Sequence, residues 1–171
     1  MLYMENILPQ TIEDLKNTEY VDKTIKSEIR QNLVRKLSGG ETLFPGVHGF
    51  DETVIPQIET AVLSGQDMIL LGERGQAKSR IIRKLVNLLD PQIPIIENCD
   101  INDDPLKPIC KSCNNRLKND GDKITITWLK RKDRFSEKLA TPDVSVADMI
   151  GDIDPIKITE GRYLGDELAI H

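Results

Sequence analysis

The chain has 171 residues, of which 39% are hydrophobic, 30% charged and 4% aromatic, with a formal net charge of −5. That length carries one domain with a core, or a domain with a small appendage. The acidic balance asks for no nucleic-acid or membrane partner, no apolar run approaches the ~20 residues of a membrane span, and no secretory signal opens the chain, so the cytoplasm is the expected compartment.

In chain order, Thr11 to about Leu37 reads as helical. Thr11-Ile12-Glu13-Asp14 has capping-box spacing, with Asp where Glu or Gln is usual. Val21, Ile25, Ile29, Leu33 and Leu37 recur every fourth residue among Lys, Glu, Arg and Gln, which puts one apolar stripe on a solvated packing helix. Ser38-Gly39-Gly40 ends it. A Gly- and Pro-dense loop, Leu43 to Phe50, follows. The next helix is expected to take Thr53 as its N-cap, because Pro56 then lies in the first turn and removes no hydrogen bond. Ser64-Gly65 closes it.

Met68 to Leu71 is a continuous apolar run, as in a strand buried on both faces of a parallel sheet. A loop follows, and then Ile81, Ile82, Leu85, Val86, Leu88 and Leu89 form one apolar helix face until Asp90-Pro91 stops it. Ile93-Pro94-Ile95-Ile96 is a second short strand, with Pro94 at an edge or outside the ladder. Strand, loop, helix and strand make a βαβ unit.

The loop in that unit is Gly72-Glu73-Arg74-Gly75-Gln76-Ala77-Lys78-Ser79. It meets the phosphate-loop pattern G-x-x-x-x-G-K-[ST] at every fixed position except Ala77. Phosphate oxygens need several converging N–H donors, and Gly72 and Gly75 let the backbone curl tightly enough to supply them. The helix opening at Lys78 adds unpaired N–H groups and the positive end of its dipole. Lys78 would reach the β- and γ-phosphates, and the Ser79 hydroxyl would complete a Mg²⁺ shell. Ala77 can serve provided its backbone stays at negative φ.

From Glu97 the periodic signal fades, and Cys99 to Asp122 reads as polar turn chemistry. Ile124 to Trp128 alternates as a strand, and Trp128 to Arg134 is a basic patch read as a solvated face. Asp148 to Ile150 suggests a short helical turn, and Asp154-Pro155 begins another segment. Cys99, Cys110 and Cys113 are the three cysteines, spaced C-x10-C-x2-C. The C-x-x-C half suits two corners of a Zn²⁺ tetrahedron and Cys99 a third, with Asp100, Asp103 or Asp104 as oxygen donors. Such a zinc would be structural, and free thiols are an equal alternative.

The loop resembles the Walker A loop of the MoxR and magnesium-chelatase I-subunit branch of AAA+ ATPases, some of which carry the same Ala-Lys-Ser. Phe44 to Glu52 is similar to the segment that lines the adenine pocket there, which implies Val47 and His48 as nucleotide contacts. Lys138 to Asp143, Met149 to Pro155 and Glu160-Gly161-Arg162 look like the region leading to the Walker B strand. The resemblance covers about residues 43 to 171. It implies ATP and Mg²⁺ as cofactors, a homo-oligomeric ring in a full-length parent, and force passed to a partner protein or a metal-inserting complex. No apolar run ending in Asp-Glu follows Ser79, and no sensor or arginine finger can be assigned, so catalytic residues are expected outside this chain. The expected fold is α/β: a partial P-loop NTPase (AAA+) three-layer sandwich with an N-terminal helical segment, truncated before the Walker B strand. The expected division is 1–40 for the helical segment and 41–171 for the nucleotide-binding part, with a cysteine-bearing insertion at about 97–122. Two other readings are a non-catalytic, nucleotide-regulated, zinc-stapled interaction module and a P-loop phosphotransferase.

Overall fold

The computed structural model describes residues 8–139 and 141–150. The chain resolves into two compact units, each built from discontinuous segments. The first unit takes the described parts of segments 1–20, 94–129 and 136–171; the second takes 21–93 and 130–135.

In the first unit, helix α1 (Ile12–Lys16) starts on the expected capping box. The Thr11 hydroxyl accepts from the Asp14 amide at 3.1 Å and the Asp14 carboxylate accepts from the Thr11 amide at 3.2 Å. The helix stops after five residues, so the single helix expected from Thr11 to Leu37 is in fact two. Local hydroxyl chemistry breaks it: Thr18 donates to the Leu15 carbonyl at 2.7 Å and accepts from the Tyr20 amide at 3.1 Å, satisfying groups that a continuing helix would use. Ile12 and Leu15 are buried with Ile96, Cys110, Cys113, Ile124 and Ile126.

Strands β1 (Gln92–Ile96) and β2 (Ile126–Lys130) form a two-stranded sheet. Among the described residues β1 is an edge strand, which is why Pro94 is tolerated inside it. The N-terminal stretch adds to β2: Thr11 bridges Thr125 in antiparallel fashion, the Ile126 amide donates to Gln10 O at 2.8 Å, and the Trp128 indole donates to Pro9 O at 3.0 Å. The segment read as turns holds a ten-residue helix, α5 (Lys111–Asp120). Its sequence is polar almost all round, with only Cys113 and Leu117 at i and i+4 as an inward stripe, too narrow to register as periodicity. Four residues, Ala147–Ile150, form the short helix α6 expected there, while Asp154-Pro155 and the stretch around Gly161 lie outside the described residues.

In the second unit, α2 (Ile25–Ser38), α3 (Val54–Ser64) and α4 (Lys78–Leu85) enclose Leu33, Phe44, Val47, Ile58, Val62, Ile81 and Leu88. Thr53 is the N-cap of α3, Gly65 closes it in the left-handed conformation, and Pro56 falls in its first turn. The expected stripe is only partly used: Val21 lies before α2 and is 66% exposed, and Ile25 at its start is 63% exposed. Its buried face carries Glu28 and Asn32 beside Leu33. Asn32 donates to Leu88 O at 2.8 Å and to the Asp90 carboxylate at 2.9 Å. Glu28 forms a two-pronged pair with Arg134 at 2.7 and 2.5 Å, their side chains 3% and 8% exposed. Arg134 ends the 3-10 turn Arg131–Arg134, so the basic patch is not wholly a solvated face.

Met68 to Leu71 joins no strand among the described residues, contrary to the doubly buried strand expected. Met68 and Leu70 pack against the core, while Ile69 and Leu71 are 85% and 89% exposed. The two-residue alternation is that of a strand with one face covered. Among the described residues Met68 to Leu71 has no ladder partner, and β1 pairs with β2.

Candidate functional site

The phosphate-type loop connects Leu71 to α4. Gly72, Glu73, Arg74, Gly75 and Gln76 are exposed, and Ala77 and Lys78 are half-buried at its base. Gly75 has φ 86°, a conformation open to glycine at little steric cost. Gly72 has φ 154°, and a Cβ there would meet only the amide oxygen at the end of the exposed Gln76 side chain and lie 3.8 Å from Lys78 Nζ. The Lys78 ammonium lies across the loop, donating to Gly72 O at 2.8 Å and Glu73 O at 2.5 Å. Ser79 is exposed in the first turn of α4, one residue beyond.

Ala77 departs from expectation. It has φ 54° and ψ 10°, in the left-handed region, and not the negative φ that its alanine side chain prefers. The chain must reverse there to turn Lys78 into α4. As the N-cap, Ala77 still offers its carbonyl to the Ile81 amide at 2.9 Å. For a residue with a Cβ this conformation costs about 1–2 kcal/mol. The glycine missing from the motif is thus missing where the backbone calls for one.

The segment expected to line an adenine pocket meets α4 directly, since Arg80 donates to Gly46 O at 3.2 Å. Val47 is buried in the core beneath, and His48 is exposed. The structure therefore gives Val47 a packing role and leaves His48 as the residue of the two that faces solvent.

A second constellation lies in the first unit. Cys99, Asp103, Cys110 and Cys113 bring one ligand atom each to within 4.8 Å of one another. Asn98 and Asn102 make this possible by adopting φ 57° and 54°, a region that asparagine enters more readily than most residues. They curl the chain so that Asp103 comes back beside Cys99. Cys110 is the N-cap of α5, its sulfur accepting from the Cys113 amide at 3.1 Å, and Cys99 Sγ accepts from the Asp103 amide at 3.4 Å. Burial pushes the Cys110 and Cys113 thiols above their ordinary range. All three cysteines are free, with Cys99 and Cys110 sulfurs 4.0 Å apart. These four residues can hold a metal ion. Asp100 is exposed and Asp104 accepts from the Leu106 amide at 2.8 Å, so of the three aspartates weighed from sequence only Asp103 joins the group.

The comparisons with known proteins bear on part of the chain. Over 63 residues it is 40% identical to a protein named magnesium-chelatase subunit ChlI homolog, from Methanocaldococcus jannaschii. That match covers 37% of this chain and 17% of the relative, so the chain spans about a sixth of that protein's length. No family model and no solved structure matches. Among the described residues, no helix is long and apolar enough to cross a membrane.

Proposed function

We propose that the chain carries the ATP-binding portion of an AAA+ ATPase of the MoxR and magnesium-chelatase type. The observation that carries this reading is Lys78, whose ammonium is held across a glycine-built loop by two backbone carbonyls, Gly72 O and Glu73 O. Carbonyl oxygens are neutral partners, and a phosphate oxygen is a stronger one for the same ammonium. Gly72 to Gln76 would offer backbone N–H groups to the β-phosphate, Lys78 would neutralise the β- and γ-oxygens, and His48 would lie toward the base. The Ser79 hydroxyl fits an oxygen position on a Mg²⁺ ion, which supplies charge neutralisation when it arrives with the nucleotide. The 40% identity to a chelatase-subunit homolog supports the family assignment.

In a longer parent, hydrolysis would occur in a homo-oligomeric ring and be coupled to remodelling of a partner or to metal insertion. In this chain no acidic residue has been assigned to orient the attacking water, so binding without turnover is expected. The alternative is a non-catalytic module whose contacts a nucleotide regulates, and the metal-capable group in the first unit favours it.

Thermal unfolding with and without Mg-ATP tests the proposal. At about 100 times Kd a ligand stabilises by ~2.7 kcal/mol, and Lys78→Ala is expected to remove that shift. No shift, or one that survives Lys78→Ala, overturns the assignment. ATP turnover by this chain would overturn the expectation of binding alone.

A further inference from the structure

The phosphate loop leaves unexplained why a small, polar segment of the first unit gathers three cysteines and an aspartate. We infer that Cys99, Asp103, Cys110 and Cys113 form a closed, mononuclear zinc site with Asp103 as fourth ligand, fastening segment 97–113 to the start of α5.

Geometry argues first. Zinc–sulfur bonds of about 2.3 Å in a tetrahedron place sulfurs ~3.8 Å apart. Cys99 and Cys110 sulfurs stand at 4.0 Å, and the four ligand atoms all fall within 4.8 Å. A disulfide needs about 2.05 Å between sulfurs. An iron–sulfur cluster would set its own inorganic core between the thiolates, and a group this tight has no room for one.

Hydrogen bonding argues second. Backbone amides aim at two of the sulfurs, Cys113 N at Cys110 Sγ and Asp103 N at Cys99 Sγ. A donor pointed at sulfur stabilises a thiolate more than a thiol, because the charged acceptor makes the stronger bond. Asp103 is buried, and its carboxylate is held rigidly: the Ile109 amide lies 3.0 Å from Oδ1 and 2.9 Å from Oδ2, and the Cys110 amide 2.9 Å from Oδ2. A carboxylate offers about four lone-pair positions. The crowded Oδ2 thus orients the group while Oδ1 retains room for an ion. Soft thiolates with one oxygen suit zinc better than Mg²⁺ or Ca²⁺, which prefer all-oxygen shells.

Binding would release three thiol protons to solvent, with no change in oxidation state. Four protein ligands close the tetrahedron, which marks the site as structural. It shares no residue with the phosphate loop, so its fate is separate from that of the nucleotide reading.

The test uses the full chain purified without chelator. Elemental analysis is expected to give about one zinc per chain, and zinc-edge X-ray absorption three sulfurs at about 2.3 Å with one oxygen at about 2.0–2.2 Å. In competition against a chromophoric chelator, Asp103→Asn is expected to weaken zinc binding by at least the ~10–100-fold that losing an outer-shell partner costs, while Asp100→Asn leaves it unchanged. Less than about one zinc per two chains, with no uptake of added zinc, overturns the site. A four-sulfur shell, a nitrogen ligand or iron–iron scattering overturns the ligand set. The absorption measurement needs only the native chain, so a variant that fails to fold does not shield the proposal.

Discussion

Replacing Arg134 by alanine strips a buried carboxylate of its cation. Glu28 has a side chain 3% exposed and receives both guanidinium nitrogens of Arg134, at 2.7 and 2.5 Å. Its Oε1 also accepts from the Asp90 amide at 2.5 Å, and that bond survives the substitution. Breaking a buried ion pair from one side costs about 3–5 kcal/mol because the remaining charge stays desolvated. The retained Asp90 donor puts Arg134→Ala at the lower end, about 3 kcal/mol. For a unit of roughly 60–100 residues, each kcal/mol lowers Tm by about 4–8 °C, so a fall of about 12–24 °C is expected. Far-UV circular dichroism on heating or in urea is the assay, since α2, α3 and α4 all belong to the second unit. The double variant Glu28→Gln with Arg134→Met removes both charges while keeping an acceptor for Asp90, and is expected to recover part of the loss. A loss below about 1 kcal/mol for Arg134→Ala would show that Glu28 finds water or another cation, and would refute the reasoning.

Three further outcomes follow from other parts of the molecule. Ala77→Gly relieves a left-handed alanine by about 1–2 kcal/mol but loosens the unfolded chain by ~0.4–1 kcal/mol; chemical denaturation should show a net change from zero to about +1.5 kcal/mol, with Mg-ATP binding retained. A loss of stability would mean that φ at this position is not what the structure shows. Thr11→Ala removes the hydroxyl half of the α1 capping box and should cost about 1 kcal/mol, read by urea midpoint. Chelator treatment of the zinc-loaded chain should change the fluorescence of Trp128, the chain's one tryptophan, because it packs against the cluster containing Cys110 and Cys113; an unaltered spectrum after confirmed zinc removal would argue against a structural role.

Local chemistry was readable where one or two residues decide the outcome. The Thr11 capping box, Thr53 with Pro56 behind it, and the Ser64-Gly65 stop each depend on a neighbour a few positions away. The run from Gly72 to Ser79 was likewise legible as a glycine-bearing turn into a helix at Lys78, but not the left-handed backbone at Ala77. What escaped was whatever is settled at long range. Nothing local announces that Glu28 pairs with Arg134, 106 residues on, or that Met68 to Leu71 joins no strand among the described residues. Apolar character alone cannot tell a strand that has partners from one that lacks them. α5 was hidden by the same limit, since a helix with only Cys113 and Leu117 turned inward is specified by its surroundings more than by its pattern. In the cysteine group the spacing pointed to three of the four residues that come together, whereas two left-handed asparagines bring Asp103, and not Asp100 or Asp104, beside them.

The discontinuous make-up of the two units bears on how the protein is born. As a ribosome releases the chain from its N-terminus, Pro9 must wait for Trp128 and Lys16 for Asp122, while Glu28 must wait for Arg134. Waiting over so long a stretch adds little to the loop-closure free energy, which grows only with the logarithm of length. It matters more in time, since at about 5–20 residues per second the early segments stand without their partners for several seconds. The ion pairs and hydrogen bonds that join the early segments to residues 122–134 form only once those residues have emerged.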